Sequence, residues 1–597
     1  MGSDMLSKSN SDAEPPAASS GHSDESSGRG SVAEVPLAWL TGAGFVLGII
    51  YAAIILIWMA PKDAIRSDVL WVVGLYAVAS AVWLFAIRFA LRVDGTNRTL
   101  FSVILVFAVC FRAIQMFGTP IMELDVYRYM WDGIVASHGS SPYQFSPGSI
   151  LATDVVIADP ELQRVTEIAA MSPAHHEILS TVHFPEYTTI YPPVSQAVFG
   201  AAMWLVPDQA SASTHLVAMR LALLLFDMLT LVAVFRLIQL AGMHVGWLIG
   251  YAWNPLVIKE VANSAHVDVI AASLTAMALF VVLKSQTKLQ LSALAVLGAA
   301  TLMVLAVGAK LYPVVLAPVV FLVFAKRSFR HALLFSAVFV GASVFLLSWM
   351  IPSAKVVDAQ NDPVALCSKA APADAAPAND VTVSVSADQQ NGLAGFLSRW
   401  RMNDLAFSLV YENVKLRGAD SESSNLNRPW YSVLPDSWRE PLLLLVGGSG
   451  QLGSPEYRFA RIVTLSLFVL IAAWLLFGMW RSPPDNRLVL RTSFGLLVAF
   501  LLLQPTLNPW YCLWVLPFAC FVHNRGWLLF APALFCYYLR FWFKATNVDF
   551  ALGSFTYRGV GVFDHCLVWL EYAVIGLSLL VGYWYATTRE PTMSNTC

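Results

Sequence analysis

Long runs of apolar residues, separated by shorter polar segments, form the dominant pattern of this chain. About 20 consecutive apolar residues suffice for a helix to cross a hydrocarbon core roughly 30 Å thick. Nine runs have about that length, at 37–60, 69–91, 100–118, 216–238, 262–283, 331–351, 459–480, 487–504 and 564–587. Shorter or interrupted runs lie at 192–206, 244–258, 289–307, 309–325, 508–522 and 526–540. The pattern predicts an all-α polytopic integral membrane protein with about 11–15 transmembrane or re-entrant helices.

Two long polar segments, the first loop (119–191) and the second loop (352–458), should fold outside the bilayer. Short loops rich in Lys and Arg mark the cytoplasmic side of a membrane protein. Here such residues cluster at 88–98, 284–288, 326–330, 481–491, 525 and 589. This distribution places both large loops on the extracytoplasmic face, provided that the run 192–206 is re-entrant or interfacial. The predicted units are a disordered cytoplasmic tail (1–35), an N-terminal membrane module (36–351), the second loop and a C-terminal membrane module (459–597).

Composition supports this assignment and narrows the choice of partners. The chain is 57% hydrophobic and 13% charged, with a mean hydropathy of +0.62, which excludes an ordinary soluble globular domain. Its net charge of −2 provides no basic field for nucleic acid, so membrane lipids are the expected surroundings. The cysteines and histidines show no metal-ligand spacing, and we therefore predict no metal site.

Four charged residues fall within ten positions where the third apolar run ends: Glu123, Asp125, Arg128 and Asp132. If the segment is helical from Asp125 onward, Arg128 and Asp132 form an i,i+4 pair and Asp125 lies beside Tyr129. One carboxylate then remains available, and at an apolar boundary it can act as a general base toward a sugar hydroxyl. The alternative is a set of interfacial ion pairs that cap a short helix.

The segment Glu123–Tyr129, followed by Trp131-Asp132-Gly133 and Ser141-Pro142-Tyr143, resembles the first extracytoplasmic loop of bacterial GT-C glycosyltransferases. It is most similar to glycosyltransferase family 87 and its polyprenyl-phosphomannose-dependent mannosyltransferase relatives. The resemblance covers about residues 100 to 525 and continues, in the expected order, through these segments: Tyr191–Pro193, Trp253–Pro255, Ala262–Asp268, Lys310–Pro313 and Asn508–Tyr511. It implies that Asp125 is the catalytic base and Glu123 the second acidic residue of the motif. Relatives often carry a histidine where this chain has Asn508, which leaves the role of that position open.

Lys310 lies in an apolar stretch, where an ammonium group is costly unless an anion pairs with it. The donor phosphate is the expected partner, and snorkelling to lipid headgroups is the alternative. Arg128 either helps to hold that phosphate or neutralises Asp132. Asp132 is also a predicted substrate-binding residue, as are His266 and Asp268, for which metal binding is the alternative. The remaining predicted substrate-binding residues, which stack on substrate or form an interfacial belt, are Tyr127, Tyr129, Trp510 and Tyr511.

These features together predict an enzyme that transfers a hexose, mannose by resemblance, from a polyprenyl-phosphate donor with inversion. The acceptor is a glycolipid, glycan or protein outside the cytoplasm, the membrane is a bacterial inner membrane, and no other cofactor is required. The second half of the second loop, with Trp400, Arg401, Tyr411, Trp430 and Tyr431, either folds over the cavity or is a tolerated insertion. The competing functions are a transporter or flippase for lipid-linked sugars and a non-catalytic subunit of an envelope-polysaccharide complex.

Overall fold

The computed structural model describes residues 28–94, 98–152, 159–351, 392–416, 426–447, 453–483, 485–522 and 524–588. Within these residues, ten helices are long and apolar enough to cross a membrane. All nine long apolar runs correspond to one of them, and the tenth, Gly526–Thr546, extends the shorter run at 526–540. Two shorter apolar helices, Ala293–Ala309 and Tyr312–Ala325, bring the number within the predicted range. The all-α polytopic membrane class is confirmed.

The first three helices pack side by side and lead into the first loop. They are α1 (Gly28–Met59), α2 (Ser67–Ala90) and α3 (Arg98–Gln115). Helix α1 begins at Gly28, so residues 28–35 of the tail predicted for 1–35 are helical. Residues 1–27 lie outside the described residues.

Five helices build the first loop and the segment that returns from it. They are α4 (Asp125–Ser137), α5 (Pro147–Leu151), α6 (Pro160–Ala170), α7 (Pro173–Ser180) and α8 (Pro193–Trp204). Helix α8 has 12 residues, too few to cross a bilayer, which agrees with a re-entrant or interfacial run at 192–206. It packs closely on α4, where a Cβ on Gly133 would lie 2.5 Å from the carbonyl oxygen of Phe199.

The centre of the molecule is a set of broken and fully buried segments. After α9 (Ala212–Leu240) come a 3-10 turn (Val245–Leu248), α10 (Ile249–Ala252), α11 (Pro255–Val257), a π turn (Ile258–Asn263) and α12 (Asp268–Gln286). They are followed by α13 (Ala293–Ala309), a 3-10 turn (Tyr312–Leu316), α14 (Ala317–Ala325), α15 (Phe329–Leu347) and a 3-10 turn (Ser348–Met350). The helix predicted from 262 therefore starts later, because the π turn and a left-handed Ala265 (φ 58°) precede it.

The C-terminal half combines loop helices, membrane helices and one β-hairpin. The loop helices are α16 (Gly392–Arg399), α17 (Leu405–Val414) and α18 (Asp436–Leu444), and the membrane helices α19 (Pro455–Arg481) and α20 (Asn486–Leu503) follow. Next come 3-10 turns (Pro509–Trp514, Leu516–Phe521, Arg525–Leu529), α21 (Phe530–Ala533), a 3-10 turn (Leu534–Tyr538) and α22 (Leu539–Thr546). The chain continues with β1 (Asp549–Leu552), β2 (Phe555–Arg558), α23 (Val560–Val562), a π turn (Phe563–Leu567) and α24 (Val568–Thr588). The antiparallel hairpin pairs Asp549 with Arg558, and the sequence pattern did not predict it.

An ion pair inside the bundle fixes the broken central segment. Arg112 on α3 pairs with Asp227 on α9, and both side chains are buried. The same arginine donates to the carbonyl of Ala252 at 2.7 Å, and Tyr251 donates to Asp227 at 2.7 Å. Charges at membrane depth need such partners. This network therefore holds α10 between α3 and α9.

Candidate active site

The acidic motif is positioned by the π turn of the buried central segment. The side-chain oxygen of Asn263 accepts the Ile121 N–H at 2.7 Å, and its amide donates to the carbonyl of Gln115 at 3.1 Å. Between these anchors and α4, Met122 adopts a left-handed conformation with φ 67°. Such a conformation persists only where the surrounding structure imposes it. The chain thus enters α4 along a fixed path that places Asp125 at the helix N-terminus.

The Asp125 carboxylate is half-buried and is the first residue of α4. In the described part of the chain, no side chain or backbone N–H is hydrogen-bonded or ion-paired to it. It lies near enough to Tyr191, Tyr511 and Tyr537 to interact with them electrostatically. Asp125 therefore keeps free lone pairs with which it can accept a proton, as a general base requires.

Glu123 is in a different environment, although it is only two residues away. Its side chain is 7% exposed, and its Oε1 atom has no hydrogen-bond partner. Burial raises the pKa of Glu123 well above its usual value, and the charge of Asp125 adds to that effect while Lys259 opposes it. Burial therefore favours the protonated form of Glu123.

Arg128 and Asp132 form the predicted i,i+4 pair, with Nε and Oδ1 3.2 Å apart. The guanidinium also donates to the carbonyl of Tyr187 at 2.6 Å. Asp132 is 2% exposed and accepts a hydrogen bond of 3.0 Å from Gln196 on α8. Both side chains are therefore engaged in bracing α4 against its neighbours, which matches the neutralising role considered for Arg128.

Lys310 follows α13 and pairs with the first residue of α12. Its Nζ lies 3.2 Å from Oδ2 of Asp268, whose other oxygen accepts the Trp514 indole N–H at 2.7 Å. The same Nζ lies 5.6 Å and 5.2 Å from the ring centroids of Tyr191 and Tyr511. The ammonium group thus has one buried counterion and two aromatic faces around it.

Lys310, Tyr191 and Tyr511 line the polar end of a cavity of about 310 Å³, which we call the apolar cavity. Most of its remaining wall is hydrophobic and comes from α16, α19, α20 and the segment after α13. These residues include Leu311, Val314, Leu393, Phe396, Leu397, Leu465, Phe468, Phe500 and Leu503. An apolar chamber whose lining includes two cations, Lys310 and Arg461, suits an amphipathic ligand that carries an anionic group. Residues of α16, in the second loop, thus form part of the wall of this cavity.

Comparison with known protein families identifies the chain. Residues 29–326 match the model of the alpha-(1→6)-mannopyranosyltransferase N-terminal domain, and residues 443–569 match that of the MptB C-terminal domain. The chain belongs to the alpha-(1→6)-mannopyranosyltransferase family. It is an integral membrane mannosyltransferase, which decides against a transporter, a flippase or a non-catalytic subunit. No curated protein and no solved structure matches the chain.

The two matched segments of this mannosyltransferase contribute different parts of the site. The N-terminal segment contains Asp125, Asp268 and Lys310, and the C-terminal segment contains Tyr511 and Trp514. The interval between the two matches, 327–442, includes the α16 residues that close the apolar cavity. The candidate site is therefore assembled from both matched segments and the interval between them.

His266 and Trp510, both predicted to bind substrate, lie in a buried polar cluster of the mannosyltransferase and not on the wall of the apolar cavity. The His266 ring stacks on Trp510 with centroids 4.1 Å apart, and its Nε2 lies 3.2 Å from Oε2 of Glu260. Glu260 also accepts a hydrogen bond from Tyr538, while Lys259 donates to Tyr538 at 2.6 Å. Two residues apart in sequence, His266 and Asp268 thus serve different networks.

The predicted tyrosines of α4 differ in their surroundings. Tyr129 is 1% exposed and stacks on Phe199 with ring centroids 4.9 Å apart, so it packs α4 against α8. Tyr127 is half-buried. Among the described residues, no three His, Cys, Asp or Glu side chains are placed to hold a metal ion.

Sequence reasoning missed Lys259, Tyr538 and Arg540, although the structure brings all three toward the acidic motif. Lys259 and Arg540 lie within or beside apolar runs, as Lys310 does, and that signal could have found them. Tyr538 has no comparable sequence signal, because aromatic residues are common in membrane helices.

Proposed function

We propose that this mannosyltransferase takes mannose from a polyprenyl-phosphate carrier and transfers it, with inversion, to a hydroxyl of a glycan or glycolipid acceptor. The reaction takes place on the extracytoplasmic face of a bacterial inner membrane. The observation that carries the proposal is the apolar cavity with Lys310 at its polar end, flanked by Tyr191, which interacts electrostatically with the Asp125 carboxylate.

The apolar cavity matches the two chemical parts of such a donor. Its hydrophobic wall suits a prenyl chain, because exposing such a chain to water would be costly. The Lys310 ammonium suits the phosphate, since charge-assisted hydrogen bonds are about twice as strong as neutral ones. Tyr191 and Tyr511, which flank Lys310, offer aromatic faces to the sugar.

In the proposed step, an acceptor hydroxyl gives its proton to a free oxygen of Asp125 as its oxygen attacks the anomeric carbon of the donor. The bond between that carbon and the phosphate oxygen breaks, and its electron pair leaves with the carrier phosphate. Lys310 stabilises the charge that develops there. Attack from the side opposite the phosphate inverts the configuration. Since the family description specifies an alpha-(1→6) product, the donor must carry β-linked mannose and the acceptor a 6-hydroxyl.

The test is transfer from radiolabelled polyprenyl-phosphomannose to an envelope glycolipid extract by the purified full chain. We compare the wild type with Asp125→Asn and with Asp549→Asn, an exposed aspartate of the hairpin. Loss of a general base is expected to lower the rate by about 10²- to 10⁴-fold in Asp125→Asn only. Equal transfer by both variants would remove Asp125 from the mechanism. Transfer by wild type from a nucleotide sugar, and not from the lipid carrier, would refute the proposed donor.

A further inference from the structure

A second cavity, of about 280 Å³, lies between the second loop and the last membrane helices. We call it the polar cavity, and its charged lining residues are Arg401, Asp404, Glu412, Arg540 and Asp564. The mechanism proposed above gives none of these residues a task. Five charged side chains around one chamber next to the candidate site require an explanation, because each is costly to remove from water.

The polar cavity contains two arginines and three carboxylates, and each arginine is paired. Arg401 lies 3.1 Å from Asp404 and 3.1 Å from Glu412, and Arg540 lies 3.1 Å from Asp564. Because carboxylates outnumber arginines in this chamber, its net negative charge disfavours a phosphate group. A carboxylate offers about four lone-pair sites, so those bound to one or two arginine N–H groups can still accept from hydroxyls. The cavity therefore suits a neutral ligand rich in hydroxyl groups.

The wall between the two cavities is a short stretch of paired backbone. The Met402 N–H donates to the carbonyl of Pro505 at 3.1 Å, and the Leu507 N–H donates to the carbonyl of Met402 at 2.9 Å. Met402 lines the polar cavity, while Pro505 and Thr506 line the apolar cavity. A donor in the apolar cavity and a ligand in the polar cavity would thus be close neighbours.

The polar cavity is also next to the acidic motif. Arg540, in its lining, lies close enough to Glu123 to interact with it electrostatically. The Tyr537 hydroxyl lies 2.9 Å from the sulfur of Met402. Tyr537 also lies close enough to Asp125 to interact with it electrostatically. The motif that contains the free carboxylate is thus near both chambers, as a base between a donor and an acceptor must be.

We infer that the polar cavity, lined by Arg401, Asp404, Glu412, Arg540 and Asp564, binds the non-reducing end of a neutral glycan acceptor and directs its hydroxyl toward Asp125. This inference rests on the proposed function, since it assigns the second substrate of the same reaction. The volume of the cavity is near the lower limit of small-molecule sites, about 300 Å³. It therefore holds a terminal sugar unit, with the rest of the acceptor outside.

The experiment compares two cavity variants of the full chain with a matched control. Asp564→Asn weakens the ion pair to Arg540, and Tyr431→Phe removes a hydroxyl from the lining while preserving the ring. The control is Asp549→Asn, which weakens an equivalent pair to Arg558 on the exposed hairpin. We measure KM for a synthetic mannobioside acceptor, KM for polyprenyl-phosphomannose, and mannobioside binding by saturation-transfer NMR in detergent.

The expected result is a rise of at least about tenfold in acceptor KM for Asp564→Asn and a smaller rise for Tyr431→Phe, with donor KM within about twofold of wild type. The control should match wild type in every measurement. Unchanged acceptor KM in both cavity variants, or a rise in donor KM instead, would overturn the inference while leaving the proposed function intact. If the wild type transfers nothing, the proposed function fails. Mannobioside binding then tests the assignment of the polar cavity by itself. Binding that Asp564→Asn abolishes supports the cavity assignment, and equal or absent binding overturns it.

Discussion

Replacement of Lys310 by methionine tests the assignment of the donor phosphate. The substitution keeps an unbranched side chain of similar size and removes the charge at the polar end of the apolar cavity. Two effects must then be separated. The donor phosphate loses its cation, and Asp268 loses its counterion.

The magnitudes follow from burial and distance. Asp268 is fully buried, while Lys310 is 18% exposed and 3.2 Å away, so the single variant leaves an uncompensated carboxylate. Breaking a buried pair in this way costs about 3–5 kcal/mol of stability. A hydrogen bond to a charged group contributes about 1.5–3 kcal/mol, and its loss from the phosphate corresponds to a rise in donor KM of about 10- to 150-fold.

The assay combines steady-state transfer with thermal unfolding in detergent, for Lys310→Met and for the double variant Lys310→Met/Asp268→Asn. The double variant has no unpaired buried charge, so it should recover most of the lost stability and still show the raised donor KM. The acceptor KM should stay near the wild-type value in both. If the double variant also recovers the wild-type donor KM, Lys310 serves only to neutralise Asp268, and the phosphate assignment is wrong.

Three further predictions address the acidic motif, the second loop and the packing of α4. Because burial raises the pKa of Glu123 and so favours its neutral form, the neutral side chain of Glu123→Gln should retain transfer within about threefold and unfold at the wild-type temperature. A loss of transfer equal to that of Asp125→Asn would contradict this. Burial raises the pKa of Asp404 from 3.8 to about 7. The stability that this shift contributes is fully present below about pH 4 and is lost as pH rises through 7, so Asp404→Asn should flatten the dependence of the unfolding temperature on pH. Gly133→Ala places a Cβ 2.5 Å from the Phe199 carbonyl oxygen, so it should lower the free energy of unfolding by about 1–3 kcal/mol and reduce transfer. Gly74→Ala, whose Cβ would have nothing within 4 Å, should change neither the stability nor the transfer rate.

The membrane helices could be predicted because lipid imposes a simple rule on them. A segment that faces lipid over a full crossing must be apolar throughout, and every such run became a helix. The central segment 244–267 escaped prediction for the opposite reason. It is surrounded by protein, so short helices, a π turn and charged residues such as Lys259 are tolerated there at full burial. Hydropathy does not distinguish that environment from a membrane crossing.

The candidate site was predictable only where its residues are neighbours in sequence. Glu123, Asp125, Arg128 and Asp132 lie within ten residues, so the pairing of Arg128 with Asp132 could be worked out from helical spacing. Lys310 could be recognised as a charge in an apolar stretch, but its buried partner Asp268 lies 42 residues earlier. Pairs of that separation are set by the tertiary fold, and no local pattern contains them.

The second loop contributes residues to the walls of both cavities. The first loop contributes the acidic motif, whereas α16 borders the apolar cavity and the segment from Arg401 to Glu412 borders the polar cavity. A tolerated insertion would not line two chambers and pair with the strand-like segment Pro505–Leu507 that divides them. The described part of the second loop is therefore integral to the site. Since both chambers meet at Met402, a shift of this segment would change the distance between donor and acceptor even with Asp125 in place.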